Sequence, residues 1–314
     1  MIFSHPKDKN EKRRMSFETI NELVKNSPEK LIQETKDYYF SQVEECANEI
    51  IKDNSKVVLL SGPSGSGKTT TAKNIADNLN KKGKIAHVVS IDDFYVGKGN
   101  YPLLPDGSED FESVYSLDLD LFRKTVDEIL TKDEVSLPRF DFATSSRKDN
   151  AYSLDLSKDD IMIFEGIHAL NPLLLPENHK SEVFKLYVAV KTQIYKDDTL
   201  VLSSREIRLT RRMIRDNLFR NYEHQRTVRI WQNVLHGEEK YIRPFMKEAD
   251  FVIDTIHPYE IGVYKSMVDN TKDLLGFEKE TEKIKDLSKK LQIFESIDKN
   301  LIPKNSMIRE FIGE

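Results

Sequence analysis

Cysteine is all but missing from this chain: Cys46 stands alone among 314 residues. A single thiol excludes an intrachain disulfide and a Cys-built zinc site, and it fits a reducing compartment. Long apolar runs are missing too. No stretch approaches the ~20 residues that a transmembrane helix needs, and the opening "MIFSHPKDKNEKRRM" becomes charged too early for a signal peptide. The expectation is a cytoplasmic protein with no membrane partner. Nor is there a surplus of positive charge: 48 Lys and Arg against 53 Asp and Glu leave a formal −5. That argues against a general nucleic-acid binder, whose affinity comes largely from neutralising phosphates. Any basic site must be local.

The remaining composition, 38% hydrophobic and 32% charged, is that of a globular protein with enough chain for one large domain or two small ones. Residues 1–54 read as a helical segment, with Ser27 and Pro28 as cap and first-turn residue and "EKLIQETKDYYFSQVEECANEII" carrying apolar residues at helical spacing. "KVVLL" (56–60), "KIAHVVS" (84–90), "DIMIFEG" (160–166), "VFKLYVAV" (183–190) and "DFVID" (250–254) read as five buried strands alternating with helices. This is a doubly wound α/β pattern with a parallel sheet, whose ligands gather at the carboxyl ends of the strands. Between the second and third strands lies an insertion, 94–159, holding a helix at "LDLDLFRKTVDEIL" and an extended piece at "VSLPRFDF". Beyond 276, Ile284, Leu287, Leu291 and Phe294 share one helix face, which predicts a C-terminal helical extension (276–314) packed on the core domain, 55–275.

"GPSGSGKT" carries G-x-x-x-x-G-K-[ST] in full between a strand and a helix. Gly62, Pro63, Ser64, Gly65, Ser66, Gly67, Lys68, Thr69 and Thr70 therefore form a phosphate loop. Its backbone N–H groups and helix N-terminus hold phosphates, Lys68 reaches the β and γ groups, and Thr69 holds Mg²⁺. "SIDDFY" brings Asp92 and Asp93 to the rim where the second strand ends, and either could take a proton from a hydroxyl near the γ-phosphate. Glu165, ending "MIFE", is placed to coordinate Mg²⁺. His168 follows closely, but a lone His after a strand is more often a packing residue. From 205 to 229 eight arginines face three acids, with few acids at i,i+4. Arg208, Arg211, Arg212 and Arg215 recur at helical spacing, which suits a lid that closes over ATP with guanidinium groups on the phosphates.

Together these pieces resemble the phosphoribulokinase/uridine kinase family of P-loop kinases, most closely its uridine/cytidine kinase-like branch. The resemblance covers roughly 55–275 and rests on "GPSGSGKTT", "SIDDFY", "PRFDFATSSR", "FEGIHAL" and "RLTRRMIRD", in that order. "GEEKYIRPFMKEAD" (237–250) and "IPKNSMIREFIGE" (302–314) are similar to the kinase portion of longer bacterial proteins in which a TGS domain comes first. The resemblance implies that Asp92 is the general base on a nucleoside 5′-hydroxyl, with Tyr95 in the acceptor pocket. Thr69 and Glu165, with Asp92 alongside, would hold Mg²⁺, and Glu112 in "DFES" would meet the ribose hydroxyls. Phe140, Asp141, Phe142, Ser145 and Arg147 fall where the family reads the base, but Phe140 and Ser145 replace a Tyr and a His there. Transfer from ATP to a nucleoside, uridine or cytidine first, is the expected activity. The alternatives are a kinase of the same fold acting on another alcohol, a nucleotide-binding regulatory protein, and, third, a nucleic-acid-binding ATPase. The resemblance also allows a homo-oligomer.

Overall fold

The computed structural model describes residues 3, 12–175, 179, 182–268 and 274–313. In chain order the elements are β1 (Arg13–Ser16), α1 (Phe17–Asn26), α2 (Pro28–Asp53), β2 (Val57–Ser61), α3 (Lys68–Lys81), β3 (Ile85–Ser90), α4 (Leu119–Thr131), β4 (Glu134–Asp141), β5 (Ser146–Asp155), β6 (Asp160–Glu165), β7 (Val183–Ala189), β8 (Thr192–Lys196), β9 (Thr199–Leu202), α5 (Ser204–Arg220), α6 (His224–Gly237), β10 (Phe251–Asp254), α7 (Glu260–Val268), α8 (Glu278–Gln292) and α9 (Arg309–Ile312). The five expected strands form one parallel sheet in the order β10-β7-β2-β6-β3. Its central strands β2 and β6 are buried along their whole length because both faces are covered there. Along β2, Val58 and Leu60 enter one core while Val57 and Leu59 enter the other. Helices α2, α3, α7 and α8 pack on the first face, and α4 packs on the second.

The ends of the chain belong to the first core. Leu31, Val43, Cys46 and Ile50 of α2, Ile284 and Leu291 of α8, and Met307, Ile308, Phe311 and Ile312 at the C-terminus are all buried there. The N-terminal segment is not wholly helical. Arg13–Ser16 pairs in parallel with β8, itself paired with β9, in a small separate sheet. Arg13 and Met15 of β1 pair with Thr192 and Ile194 of a strand nearly 180 positions away, so the helical periodicity of α2 carries no trace of this pairing. Ser27 does precede α2, but its side chain makes no capping bond. In the insertion the extended piece is half of a hairpin, β4 with β5, turning through Ser145 at φ +52°.

One buried side chain ties several elements to the phosphate loop. Arg211 of α5 is wholly buried. Its Nε and Nη2 donate to the two Glu260 oxygens at 2.7 and 2.8 Å, Nη2 also to Thr255 O at 2.6 Å, and Nη1 to Gly65 O at 3.2 Å and Thr255 Oγ1 at 3.3 Å. Glu260 is satisfied in turn by the Tyr264 hydroxyl at 2.7 Å and the His257 N–H at 3.1 Å. Removing one partner strands the other charge away from water. Glu260→Ala is therefore expected to cost about 3–5 kcal/mol, read as a lower urea midpoint at unchanged slope; a loss below about 1 kcal/mol, the range of exposed ion pairs, would mean the pair is not the tie described.

Candidate active site

The phosphate loop keeps its shape because groups outside it take its carbonyls. Ser64 O accepts from Arg208 Nη1 at 3.0 Å, Gly65 O from Arg211, and Ser66 O from Thr255 Oγ1 at 2.6 Å. In a trans peptide the N–H points opposite to the C=O, so tethering the carbonyls outward turns the following N–H groups toward the concave side, where an anion would sit. The glycines are required sterically. A Cβ on Gly62 would lie 2.1 Å from Val188 O, and Gly65 (φ +74°) and Gly67 (φ +86°) both adopt the left-handed conformation.

Lys68 opens α3 and faces three carboxylates, Glu165, Glu310 and Asp92, which raise its pKa against a larger lowering by burial. Thr69 Oγ1 donates to Glu165 Oε1 at 3.1 Å. Burial pushes the Glu165 carboxyl up to about 7 although Lys68 pulls it down. Asp92 sits in the 3-10 turn that ends β3 and is pushed up to about 6, first by burial and then by Glu112 and Asp93, against Lys68. Two carboxylates whose charge is disfavoured by burial, one of them holding the Thr69 hydroxyl, are an all-oxygen donor set that a hard divalent cation would relieve. The residues present therefore fit Mg²⁺. The geometry separates the adjacent aspartates. Asp93 is buried and accepts the Phe140 N–H at 3.0 Å, clasping β4, while Asp92 is the one in electrostatic contact with Lys68 and Glu112.

Glu112 meets the charges of Arg212 and Lys68, though burial still raises its carboxyl. It reaches this position over Gly237, where a Cβ would lie 2.6 Å from its own. Tyr95 donates to Phe111 O at 3.2 Å, and its ring meets the edges of Tyr101 and Phe140 at 6.0 and 5.6 Å. The stretch where the resemblance places base reading is largely occupied with its own fold. Phe140 is buried, and Asp141 braces the hairpin turn through Ala143 N–H at 2.8 Å and Thr144 Oγ1 at 2.9 Å. Ser145 O accepts from Lys98 N–H at 2.9 Å. Arg147 is spent on the Phe94 and Tyr95 carbonyls, Asp118 and Asp149. Phe142 is exposed at the hairpin tip.

The arginine stretch departs most from expectation. Each of the five Arg211 donors is taken, which leaves none for a phosphate. Arg208 is buried between Ser64 O and Glu238, over the Trp231 ring. Arg212 donates to Ser64 Oγ at 2.8 Å and, with Arg215 and Arg220, surrounds the buried Asp216. Acids are scarce at i,i+4, and the compensation comes from Asp216 within the helix and from Glu238 and Glu260 outside it, so the stretch is no exposed basic face. Arg212 and Arg215 remain on the site side, acting electrostatically on Glu112 and Lys68 respectively.

His168, set aside as a packing residue, is a buried imidazole with no side-chain hydrogen-bond partner, and it faces the Glu112 backbone. Its ring stands edge-on to Tyr241 at 5.8 Å, and burial lowers its pKa to about 3, so it is neutral; the Glu112 backbone and the Lys68 charge also act on it. Its place beside Glu112 and Lys68 is a tertiary feature for which the sequence has no signal.

The model of the phosphoribulokinase/uridine kinase family matches residues 57–261, and the chain belongs to that family of P-loop kinases. It is similar to the uridine kinase of Halobacterium salinarum, with 25% identity over 195 residues, 62% of this chain and 77% of that one. Among solved structures it is similar to a possible uridine kinase from Bacillus stearothermophilus (17% identity, TM-score 0.46, 68% of this chain and 98% of that one). It is also similar to the D-glycerate 3-kinase of Cryptococcus neoformans var. grubii (17%, TM-score 0.35, 83% and 90%). Among the described residues no helix is long and apolar enough to cross a membrane.

The raised carboxyls carry a stability signature. Asp92 and Glu165 keep their protons in the folded chain up to about 6 and about 7, while in the unfolded chain they lose them near the ordinary values of 3.8 and 4.5. The folded state thus binds more protons across that window, and stability of the ligand-free protein falls as pH rises through it. Asp92→Asn should raise stability by about 1–2 kcal/mol at pH 8 and by less at pH 5. Urea melts at both pH values check this, and an equal effect at the two would contradict it.

Proposed function

We propose that this protein is an ATP- and Mg²⁺-dependent kinase that transfers the γ-phosphoryl group to the hydroxyl of a small alcohol, the 5′-hydroxyl of a nucleoside being the first candidate. The observation that carries the reading is the convergence of Lys68, Asp92, Glu165 and Thr69 on one rim, with Glu112 and His168 beside them. Family membership supports phosphoryl transfer; the choice of nucleoside rests on the resemblance of the motifs and on the uridine kinases among the relatives.

In this reading the loop amides and Lys68 hold the phosphates, and Asp92 takes the proton from the acceptor hydroxyl as the hydroxyl oxygen bonds to the γ-phosphorus and the bond from that phosphorus to the β–γ bridging oxygen breaks, releasing ADP. A base whose ordinary value has been lifted to about 6 is better matched to that task than a free aspartate. Mg²⁺ on Thr69 and Glu165 would supply charge neutralisation on the phosphates. Arg212 and Arg215, held by Asp216, add positive potential around them, and positioning provides most of the rate. Glu112 and His168 would take acceptor hydroxyls.

A second reading, another small alcohol as acceptor, is favoured by one specific observation. Asp141 and Arg147 are engaged within the hairpin and its loop, and Phe140 is core, so these three side chains are not free to read a pyrimidine edge. Incubation with Mg²⁺-ATP and a panel of nucleosides and other alcohols, with products identified by mass, separates the two readings.

Asp92→Asn should bind ADP as the wild type does and lose about 10²–10⁴-fold in kcat; near-wild-type turnover would remove Asp92 as the base. His168→Phe should raise the acceptor KM about tenfold or more at unchanged ATP KM, with His168→Asn in between. Equal changes in both KM values would instead mark His168 as a packing residue.

A further inference from the structure

The segment around Glu310 reaches back across the fold to the phosphate loop. Glu310 Oε2 accepts from the Thr70 N–H at 3.2 Å and from Thr70 Oγ1 at 2.7 Å. Thr70 is the third residue of α3, and its N–H is one of the first-turn donors that a helix leaves without an internal partner. In a phosphate loop such donors serve the phosphate chain. With Lys68 directed to the β and γ groups, Thr70 serves the end nearer the nucleoside. A carboxylate on both Thr70 donors is an anion on an anion's ligands, and its charge also reaches Lys68 and Glu165.

The segment that presents Glu310 is built rather than draped. Met307, Ile308, Phe311 and Ile312 are buried. The Met307 sulfur lies 2.5 Å from where a Cβ on Gly67 would stand, so the hook packs directly on the loop. Arg211 sits over the Phe311 ring at 5.1 Å, and the Tyr259 hydroxyl meets Ser306 Oγ at 3.0 Å. Arg309 gathers the carbonyls of Lys299, Ile302, Pro303 and Gly313 around its guanidinium, which closes the turn that aims its neighbour Glu310 at Thr70.

We propose that this C-terminal hook, residues 302–313, competes with the phosphate donor for the phosphate loop, Glu310 holding the Thr70 donors that the donor's phosphate would take, and thereby sets the nucleotide affinity of the enzyme. The proposal rests on the kinase reading above for the identity of the ligand. A carboxylate and a phosphate repel and cannot share the same two donors, so nucleotide entry requires Glu310 to swing away or the hook to lift. Each event subtracts from the intrinsic affinity by the fraction of molecules in the competent state.

The full chain is titrated calorimetrically with Mg²⁺-ADP in the absence of any acceptor, for the wild type, Glu310→Ala, Glu310→Gln and Arg309→Ala, with thermal melts confirming folding. Glu310→Ala and Arg309→Ala should bind ADP about tenfold more tightly, with Glu310→Gln between them and the wild type. Amide hydrogen exchange of 302–313 in the wild type should rise when ADP binds, a readout that needs no variant to fold. Unchanged or weaker binding in both alanine variants, or exchange in the hook that stays flat or slows with ADP, would overturn the proposal and leave Glu310 as a helix cap. Absence of ADP binding in every protein, the wild type included, would remove the phosphate-loop reading itself and the competition with it.

Discussion

The Arg211 guanidinium is the constraint on which the rest of the site depends. It is a permanent charge without water, held by the Glu260 carboxylate and by the carbonyls of Gly65 and Thr255. Such a group can exist in a core only if every donor is used. Meeting that demand draws four segments together: the phosphate loop, the end of β10, the start of α7 and the middle of α5. The C-terminal Phe311 ring completes the enclosure. Arg208 and Thr255 repeat the pattern on neighbouring loop carbonyls. The phosphate cradle is thus shaped from behind, by groups that need never touch a nucleotide.

In front of the loop the balance is reversed. Asp92 and Glu165 are held where burial opposes their charge, with a single lysine between them and the Glu310 carboxylate close by. A surplus of buried negative charge costs stability, and it is tolerated where function asks for it. The same crowding makes the site receptive to a cation. It also makes sense of an arginine-rich helix in an acidic protein: α5 spends Arg208 and Arg211 on structure and leaves Arg212 and Arg215, collared by Asp216, to offset the acids.

Much of this was legible in the sequence because it is local. Strand-loop-helix spacing around Gly62–Thr69 defines a phosphate loop, continuous apolar runs mark strands covered on both faces, and Asp92 and Glu165 stand at strand ends where a parallel sheet presents its chemistry. The helical stripe of Ile284, Leu287, Leu291 and Phe294 is buried as its period requires. What could not be read depends on partners far along the chain. The strand at Arg13–Ser16 exists because β8 pairs with it, and the arginines of α5 look uncompensated until Glu238 and Glu260 arrive from other elements. His168 looks like any packing imidazole until it is seen beside Glu112 and Lys68.

The sequence by itself determined the class of fold, the phosphate loop, and the two carboxylates beside it, because each is set by short-range spacing and by the geometry of a parallel sheet. Only the tertiary structure decided which of Asp92 and Asp93 faces the loop, which arginines are free to act on a phosphate, and that the C-terminal Glu310 reaches Thr70. The physical reason is common to all three. Desolvated charges and donors take whatever partner the packed chain brings within about 3 Å, and sequence separations as large as the 240 positions between Thr70 and Glu310 leave no periodic trace by which that partner could be foreseen.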